Sequence, residues 1–274
     1  MLSKTNWSQG AAIPMNLKSK LLWLFSGTSD GNRIAFDLIV KNYPVKVFVA
    51  TQYGKKVASK TLPLEVIETG RLNPDQISER AKIEKPSQMI DATHPYAQEI
   101  SKNLIHFCQS EQIPYLRYER PEETIEGENI YFADSVNQAA EKAKALGKKI
   151  LLTLGSKNIE SFLSETLKDN IYIRMLPDPS LIEHVLSKGV SPDRIIAIQG
   201  PFSHLMNRTM MEDFSIDCLV TKSSGNEGGI LQKVSAAIEL KIPVIIIKRP
   251  EMDYPVVFQN ENKLIKHIVN KEQI

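Results

Sequence analysis

The sequence predicts an α/β protein made of two doubly wound, parallel-sheet lobes with a cleft between them. Three observations carry that expectation. Short apolar, β-rich runs alternate with helical patterns along most of the 274 residues, the signature of βαβ units with right-handed crossovers. The runs are continuous, as strands buried on both faces of a parallel sheet must be. A polar, Pro- and Glu-rich segment over 119–128 separates two such series and reads as a linker or hinge.

Taken in order, the first series has strands over 21–26, 45–50, 64–68, 88–91 and 115–117. Amphipathic helices lie between them over 32–41, 73–83 and 97–110. The second has strands over 130–133, 149–153, 171–174, 194–198, 218–220 and 244–247, with helices over 135–146, 180–187, 203–211 and 229–240. A strand over 256–258 and a helix over 261–269 close the chain. The expected division is an extension over 1–17, in which Met15 is a candidate start, a first lobe over 18–121 and a second over 122–274.

Bulk properties exclude several classes. Hydrophobic content of 42% and charged content of 24% suit an ordinary soluble domain pair. Lys+Arg number 34 against 32 Asp+Glu, a net +2, which lacks the basic excess of a nucleic-acid protein. The two cysteines, Cys108 and Cys218, stand far apart with no C-x-x-C, so neither zinc nor a disulfide framework is expected. No apolar leader and no 18-residue apolar run occur, so the expectation is a cytoplasmic protein without a membrane span.

Chemistry concentrates where strands end, which is where open α/β sheets bind ligands. The first strand exits into Ser26-Gly27-Thr28-Ser29-Asp30-Gly31. A glycine turn at a helix N-terminus suits an anion, but this is not G-x-G-x-x-G, and a tight turn capped by Ser29 or Asp30 is the alternative. The second strand exits into Thr51-Gln52-Tyr53-Gly54-Lys55-Lys56, without the carboxylate that usually holds ribose hydroxyls. The fourth exits into Asp91-Ala92-Thr93-His94-Pro95-Tyr96-Ala97. Pro95 keeps His94 out of the helical region and suits the first turn of the next helix. An acid, a hydroxyl, an imidazole and a phenol in six positions there read as a site; Asp91 and Thr93 as mere caps is the alternative.

Arg117 and Arg120 end the first lobe beside the hinge, as carboxylate-binding forks or as surface salt bridges. In the second series, Thr153-Leu154-Gly155-Ser156-Lys157 leaves a strand and opens a helix, without a Walker A spacing. Arg174 ends the next strand. Gln199-Gly200-Pro201-Phe202-Ser203 follows the one after, with Ser203 as N-cap. Thr221-Lys222-Ser223-Ser224-Gly225-Asn226-Glu227-Gly228-Gly229 can wrap its amides around a phosphate or carboxylate. Lys233 falls on the helix that follows. No Gly-x-Ser-x-Gly elbow occurs, so acyl transfer is not suggested.

The ordered set Gly27-Thr28, Asp91 to Ala97, Arg117…Arg120-Pro121, Gly200-Pro201-Phe202, Thr221-Lys222…Ser224-Gly225 and Ile242-Pro243-Val244…Arg249-Pro250 resembles the precorrin-6A reductase family, from about residue 20 to 250. The sequence departs from that pattern in its N-terminal extension and at Ser223-Ser224. The resemblance implies two Rossmann-like lobes and reduction of one macrocyclic carbon–carbon double bond, of precorrin-6A or its cobalt-bearing counterpart, in cobalamin biosynthesis. It implies a reduced nicotinamide cofactor, NADPH with NADH as the alternative, and a carboxylated tetrapyrrole as partner. On that reading Gly27, Thr28, Gly155, Gly200, Lys222, Ser224 and Gly225 hold the cofactor. Asp91, Thr93, Arg117, Arg120 and Arg174 bind substrate. His94 or Tyr96 supplies the proton, unless water does. No metal is required. Another nicotinamide-dependent reductase, a non-catalytic two-lobed binding protein and a mononucleotide binder are the rival expectations.

Overall fold

The computed structural model describes residues 20–164, 167–225 and 228–271; the expected extension over 1–17 lies outside them. In chain order the strands are β1 (Leu22–Ser26), β2 (Val45–Val49), β3 (Ile67–Thr69), β4 (Gln88–Ala92), β5 (Tyr115–Tyr118), β6 (Ile130–Ala133), β7 (Ile150–Leu152), β8 (Ile171–Met175), β9 (Ile195–Ala197), β10 (Cys218–Lys222), β11 (Val244–Ile247) and β12 (Val257–Phe258). The helices are α1 (Ser29–Val40), α2 (Gln52–Ala58), α3 (Pro74–Glu84), α4 (Gln98–Ser110), α5 (Val136–Leu146), α6 (Pro179–Ser187), α7 (His204–Asp213), α8 (Ile230–Glu239) and α9 (Glu261–Lys271). They form two compact units. Among the described residues, one comprises 20–119 plus 253–271, the other Arg120–Met252.

The first unit holds a sheet of order β12-β5-β4-β1-β2-β3, parallel throughout. The two-residue period of a strand sorts its core. Leu22 and Leu24 pack with Val45, Val47, Ile90 and α1 residues Ile34 and Leu38. Trp23 and Phe25 face the other way, onto Phe48, Met89 and the α3 and α4 residues Ile77, Leu104 and Phe107. Phe25 stacks on Phe48 at 4.7 Å, and Trp23 meets Phe48 edge-on at 4.8 Å. Both faces are therefore covered, which is why β1 reads as an unbroken apolar run.

The second unit holds a sheet of order β6-β11-β10-β7-β8-β9, also parallel. Leu151, Tyr172, Leu219, Val244 and Ile246 point to one face, against Met210 and Met211 of α7 and Ile230, Val234 and Ala237 of α8.

Four sequence expectations are corrected. Residues 253–271 do not belong with the second lobe. Arg117 N donates to Val256 O at 2.8 Å and Glu119 N to Phe258 O at 3.0 Å, so β12 extends the first sheet. Leu264, Ile265 and Ile268 of α9 are buried in the first core, and Arg33 of α1 holds Glu261 at 2.8 Å. Residues 52–58 form α2, capped by the Thr51 hydroxyl accepting from Gly54 N at 2.9 Å. The expected strand over 64–68 begins as a 3-10 turn, Leu64–Val66, and only Ile67–Thr69 pairs. The helix expected after Gly155 is replaced by 3-10 turns, Ser156–Asn158 and Glu160–Phe162.

Candidate functional site

In the first unit the chain runs from β1 outward to β2 and β3, then returns to place β4 on the other side of β1. Connections leave β1 and β4 on opposite faces, so their loops border a crevice at the sheet's carboxyl edge, the usual ligand position in such folds. Gly27 sits at that reversal. A Cβ there would lie 3.1 Å from the backbone nitrogen of His94, so a larger residue would push the two loops apart by a few tenths of an ångström. Thr28, not Ser29 or Asp30, caps α1: its hydroxyl accepts from Gly31 N at 3.2 Å and donates to Ala92 O at 3.3 Å. Asp30 is buried and paired with Arg33.

The loop from Thr93 to Ala97 is anchored from beneath. Asp91 is fully buried on β4 and receives four hydrogen bonds: from Thr93 N (3.0 Å), Thr93 Oγ1 (2.7 Å), Tyr115 OH (2.7 Å) and Arg117 Nη1 (2.8 Å). Arg117, 0% exposed, also donates to Thr93 Oγ1 (3.1 Å) and to Glu119 Oε2 (3.1 Å), and its guanidinium lies 4.9 Å from the Tyr254 ring. Burial alone would lower the Arg117 pKa, but Asp91, Tyr254 and Glu119 raise it above the usual value. Burial, reinforced by Asp91, pushes the Tyr115 phenol far up, and the pair is held as a neutral donor on a carboxylate. Burial likewise pushes Tyr254 up to about 12.

Asp91 and Arg117 therefore face each other inside the unit, and Thr93 keeps only 8% of its surface. These three were expected to touch substrate; here they are buried and bond to one another. His94 and Tyr96, each partly exposed, stand on that loop with ring centroids 5.5 Å apart. Tyr96 N makes a long 3.4 Å contact with His94 Nδ1, which in a neutral ring leaves the proton on Nε2. Asp91 and Thr93 do not cap α4, whose N-terminal Ala97 offers no side-chain cap.

Among the second unit's strands the reversal falls between β7 and β10. The loop after β7 carries Thr153, whose hydroxyl donates to Val220 O at 3.1 Å, and Gly155 at φ +75° with open space beside it. The loop after β10 is tied down by Arg249, which donates to Ser223 O at 3.0 Å and Arg120 O at 2.7 Å. Gly225, at φ +71°, packs against Arg120 and Arg249 closely enough that a Cβ would meet Arg120 Cδ at 2.9 Å. Asn226 and Glu227 lie outside the described residues. Lys222 and Ser224 are partly buried on this loop. Gly200 is exposed, and Phe202 beyond it covers Arg174 at 4.7 Å. Arg120, grouped with Arg117 in the sequence, falls in the second unit rather than the first.

Arg174 is 8% exposed, and its Nη1 donates to Asn207 Oδ1 at 2.8 Å. Lys233 is 6% exposed, and its Nζ donates to Thr221 Oγ1 at 3.0 Å. Burial lowers Arg174 to about 10; burial, then the charge of Arg174, lowers Lys233 to about 7. Lys233 was placed from sequence only as a residue of the helix after the Thr221–Gly229 loop, and Asn207 was not noted. The available signal was a lysine on the apolar stripe Ile230, Lys233, Val234, Ala237 of α8, spaced as core positions are. Among the described residues no cluster of His, Cys, Asp or Glu could hold a metal, and no helix is long and apolar enough to cross a membrane.

Comparison with known proteins adds an independent line. The family model described as Precorrin-6x reductase CbiJ/CobK matches residues 21–269. A cobalt-precorrin-6A reductase of Priestia megaterium is 32% identical over 255 residues, 92% of this chain and 99% of that protein. One of Methanocaldococcus jannaschii is 35% identical over 220 residues, 80% of this chain and 86% of its own length. A solved structure, CobK precorrin-6A reductase, superposes with a TM-score of 0.73 at 20% identity, over 92% of this chain and 96% of that one, and shares the fold.

Proposed function

This chain belongs to the precorrin-6x reductase family, and on that premise we propose that it reduces one carbon–carbon double bond of the precorrin-6A macrocycle in cobalamin biosynthesis, with a reduced nicotinamide cofactor. The observation that carries this reading is coverage: the match spans 21–269, both units, with relatives above 30% identity along nearly their whole length. Relatives between 30% and 35% identical are cobalt-precorrin-6A reductases, whereas precorrin-6A reductases of Rhodococcus erythropolis and Mycobacterium tuberculosis stand at 29% and 25%. The cobalt-bearing macrocycle is therefore the proposed substrate.

The residues fit a phosphorylated dinucleotide. Gly27 and Thr28 open α1 at the reversal of the first sheet, where backbone amides suit a pyrophosphate. After β2 no carboxylate occurs before Glu65, while Lys55 and Lys56 follow directly, which favours a 2′-phosphate over a bare ribose and hence NADPH. The hydroxyls of Tyr53, beyond β2, and Thr69, ending β3, are buried without a hydrogen-bond partner, as groups awaiting a polar ligand are. Bound there, the cofactor supplies the hydride.

The chain's own residues orient, exclude water and deliver the accompanying proton. The macrocycle lies over His94 and Tyr96, whose loop the Asp91–Arg117 pair holds rigid. His94 Nε2–H or the Tyr96 hydroxyl is the proton donor. Two buried thiols, Cys108 and Cys218, agree with a reducing, cytoplasmic setting.

The test is anaerobic incubation with precorrin-6A or cobalt-precorrin-6A and either NADPH or NADH, following the ring chromophore. Turnover is expected to be fastest with the cobalt form and NADPH. Spectra unchanged in all four combinations would reject the reading.

A further inference from the structure

Two cations lie buried in the second unit with no acid beside them. Arg174 ends β8 and Lys233 projects from α8; they are 8% and 6% exposed. Arg174 donates to the Asn207 amide oxygen and contacts Met210 sulfur at 3.7 Å; Phe202 covers its guanidinium face. Lys233 donates to Thr221 Oγ1. All of these partners are neutral. The charge of Arg174 repels that of Lys233. Folded proteins rarely bury charge without a counter-charge, because desolvation then goes uncompensated. Here two like charges share one neighbourhood.

Their place in the sheet is equally specific. Leu152 pairs with both Val220 and Ile173. Thr221, Thr153 and Arg174, one residue further along each strand, therefore project to the same face at the carboxyl edge. That edge is the reversal between β7 and β10, beside the loop Lys222–Gly225. The Ser224 hydroxyl and Gln232 Oε1 there are buried with no hydrogen-bond partner. The Asn207 amide is fixed by donating to Ser203 O at 2.8 Å, so its oxygen is presented to Arg174. Arg174 and Lys233 keep N–H groups with no protein acceptor among the described residues.

We propose that Arg174 and Lys233, with Thr221 and Ser224, form an oxyanion site at the carboxyl edge of the second sheet, which takes a phosphate or carboxylate group of a ligand. The site rests on the reductase reading for the identity of its ligand, but not for its existence: a macrocycle carboxylate agrees with a dinucleotide held at Gly27 and Lys55, whereas a cofactor phosphate here would displace the cofactor from that place. The anion completes the charge balance that the polypeptide leaves open. It also reverses the protonation of Lys233: the amine, depressed to about 7 when alone, is about nine-tenths neutral at pH 8 and regains its proton when an anion arrives.

Sulfate, which does not titrate near pH 8, is the probe. Calorimetry on the full chain at pH 8, in two buffers of different ionisation enthalpy, should show saturable sulfate binding with uptake of about one proton. Lys233→Met should abolish the uptake, and both it and Arg174→Met should weaken sulfate about tenfold or more. Thermal melting checks folding, and Lys233→Met, which keeps the apolar stem and removes an unbalanced charge, should melt no lower than wild type. No saturable sulfate binding to wild type, or the same affinity and uptake in Lys233→Met, would overturn the site.

The sources separate by comparing NADP⁺ affinity with substrate KM in the two variants. A fall in NADP⁺ affinity alone assigns a cofactor phosphate; a rise in substrate KM alone assigns a carboxylate; neither moving overturns the proposal. Failure of the reductase reading has a different signature: wild type that binds sulfate with proton uptake yet turns over neither form of precorrin-6A.

Discussion

Replacing Asp91 by Asn tests whether the first unit's site is held from below. The carboxylate receives four hydrogen bonds between 2.7 and 3.0 Å and neutralises a guanidinium that is 0% exposed. Asparagine keeps the shape but removes the charge. It also turns an amide N–H₂ either toward the Tyr115 hydroxyl, which meets Oδ2, or toward Thr93 N, Thr93 Oγ1 and Arg117 Nη1 together, which all meet Oδ1. Breaking a buried ion pair from one side costs about 3–5 kcal/mol. Glu119 still meets Arg117 Nε at 3.1 Å, which places the expected loss at the lower end, about 3 kcal/mol. That is a large part of a domain's usual stability of about 5–15 kcal/mol. Trp23, fully buried in the same unit, reports its unfolding by fluorescence in urea once Trp7 is changed to Phe. Arg117→Met should destabilise comparably, because it strands the carboxylate. The double variant should lose clearly less than the sum, with a coupling of about 1.5 kcal/mol or more. A loss below about 1 kcal/mol for Asp91→Asn, or additive single losses, would refute the claim that this pair supports the loop.

Three further outcomes are expected. Gly27→Ala drives a Cβ to 3.1 Å from His94 N; melting should show a loss of about 1–3 kcal/mol, and NADPH titration and turnover should weaken together. His94→Ala should lower turnover by about a hundredfold or more if its ring gives the proton, with the pH profile flattened; unchanged turnover and KM remove His94 from the site. Lys233 titrates near 7 in the folded chain and near 10.5 unfolded, so between those values the unfolded chain binds the extra proton and wild-type stability rises with pH. The slope approaches about 1.4 kcal/mol per pH unit for this one group. Lys233→Met lacks that rise, so parallel urea stabilities from pH 7 to 9.5 would contradict a depressed amine.

The unbroken apolar runs made the sheets legible, because burial on both faces leaves no room for alternation: β1, β4 and β11 follow directly from Leu-Trp-Leu-Phe, Met-Ile and Val-Ile-Ile-Ile. The turn over 94–97 was legible too, since Pro95 sets it and Ala97 N closes it on His94 O at 2.8 Å. Roles within it were not. Asp91 and Arg117 are 26 positions apart and meet only because β4 and β5 pair, so a buried ion pair looked like two ligands for substrate. Lys233 was hidden by its helix, where a cation on the apolar stripe resembles noise until Arg174 is found beside it. The last segment was misassigned because β12 has two paired residues, too few to advertise which sheet they join.

That return of the C-terminal segment has a consequence for biosynthesis. Residues Arg120–Met252 form a contiguous unit, whereas the first unit still lacks β12 and α9 when its other strands have left the ribosome. At about 5–20 residues per second, translation of the intervening stretch holds the N-terminal sheet open for on the order of ten seconds, with one flank of β5 and the α1 face bare. The unit whose strands are made first is thus the last to be finished, and a nascent chain that stalls beyond Met252 would carry a complete second unit and an unsealed first one.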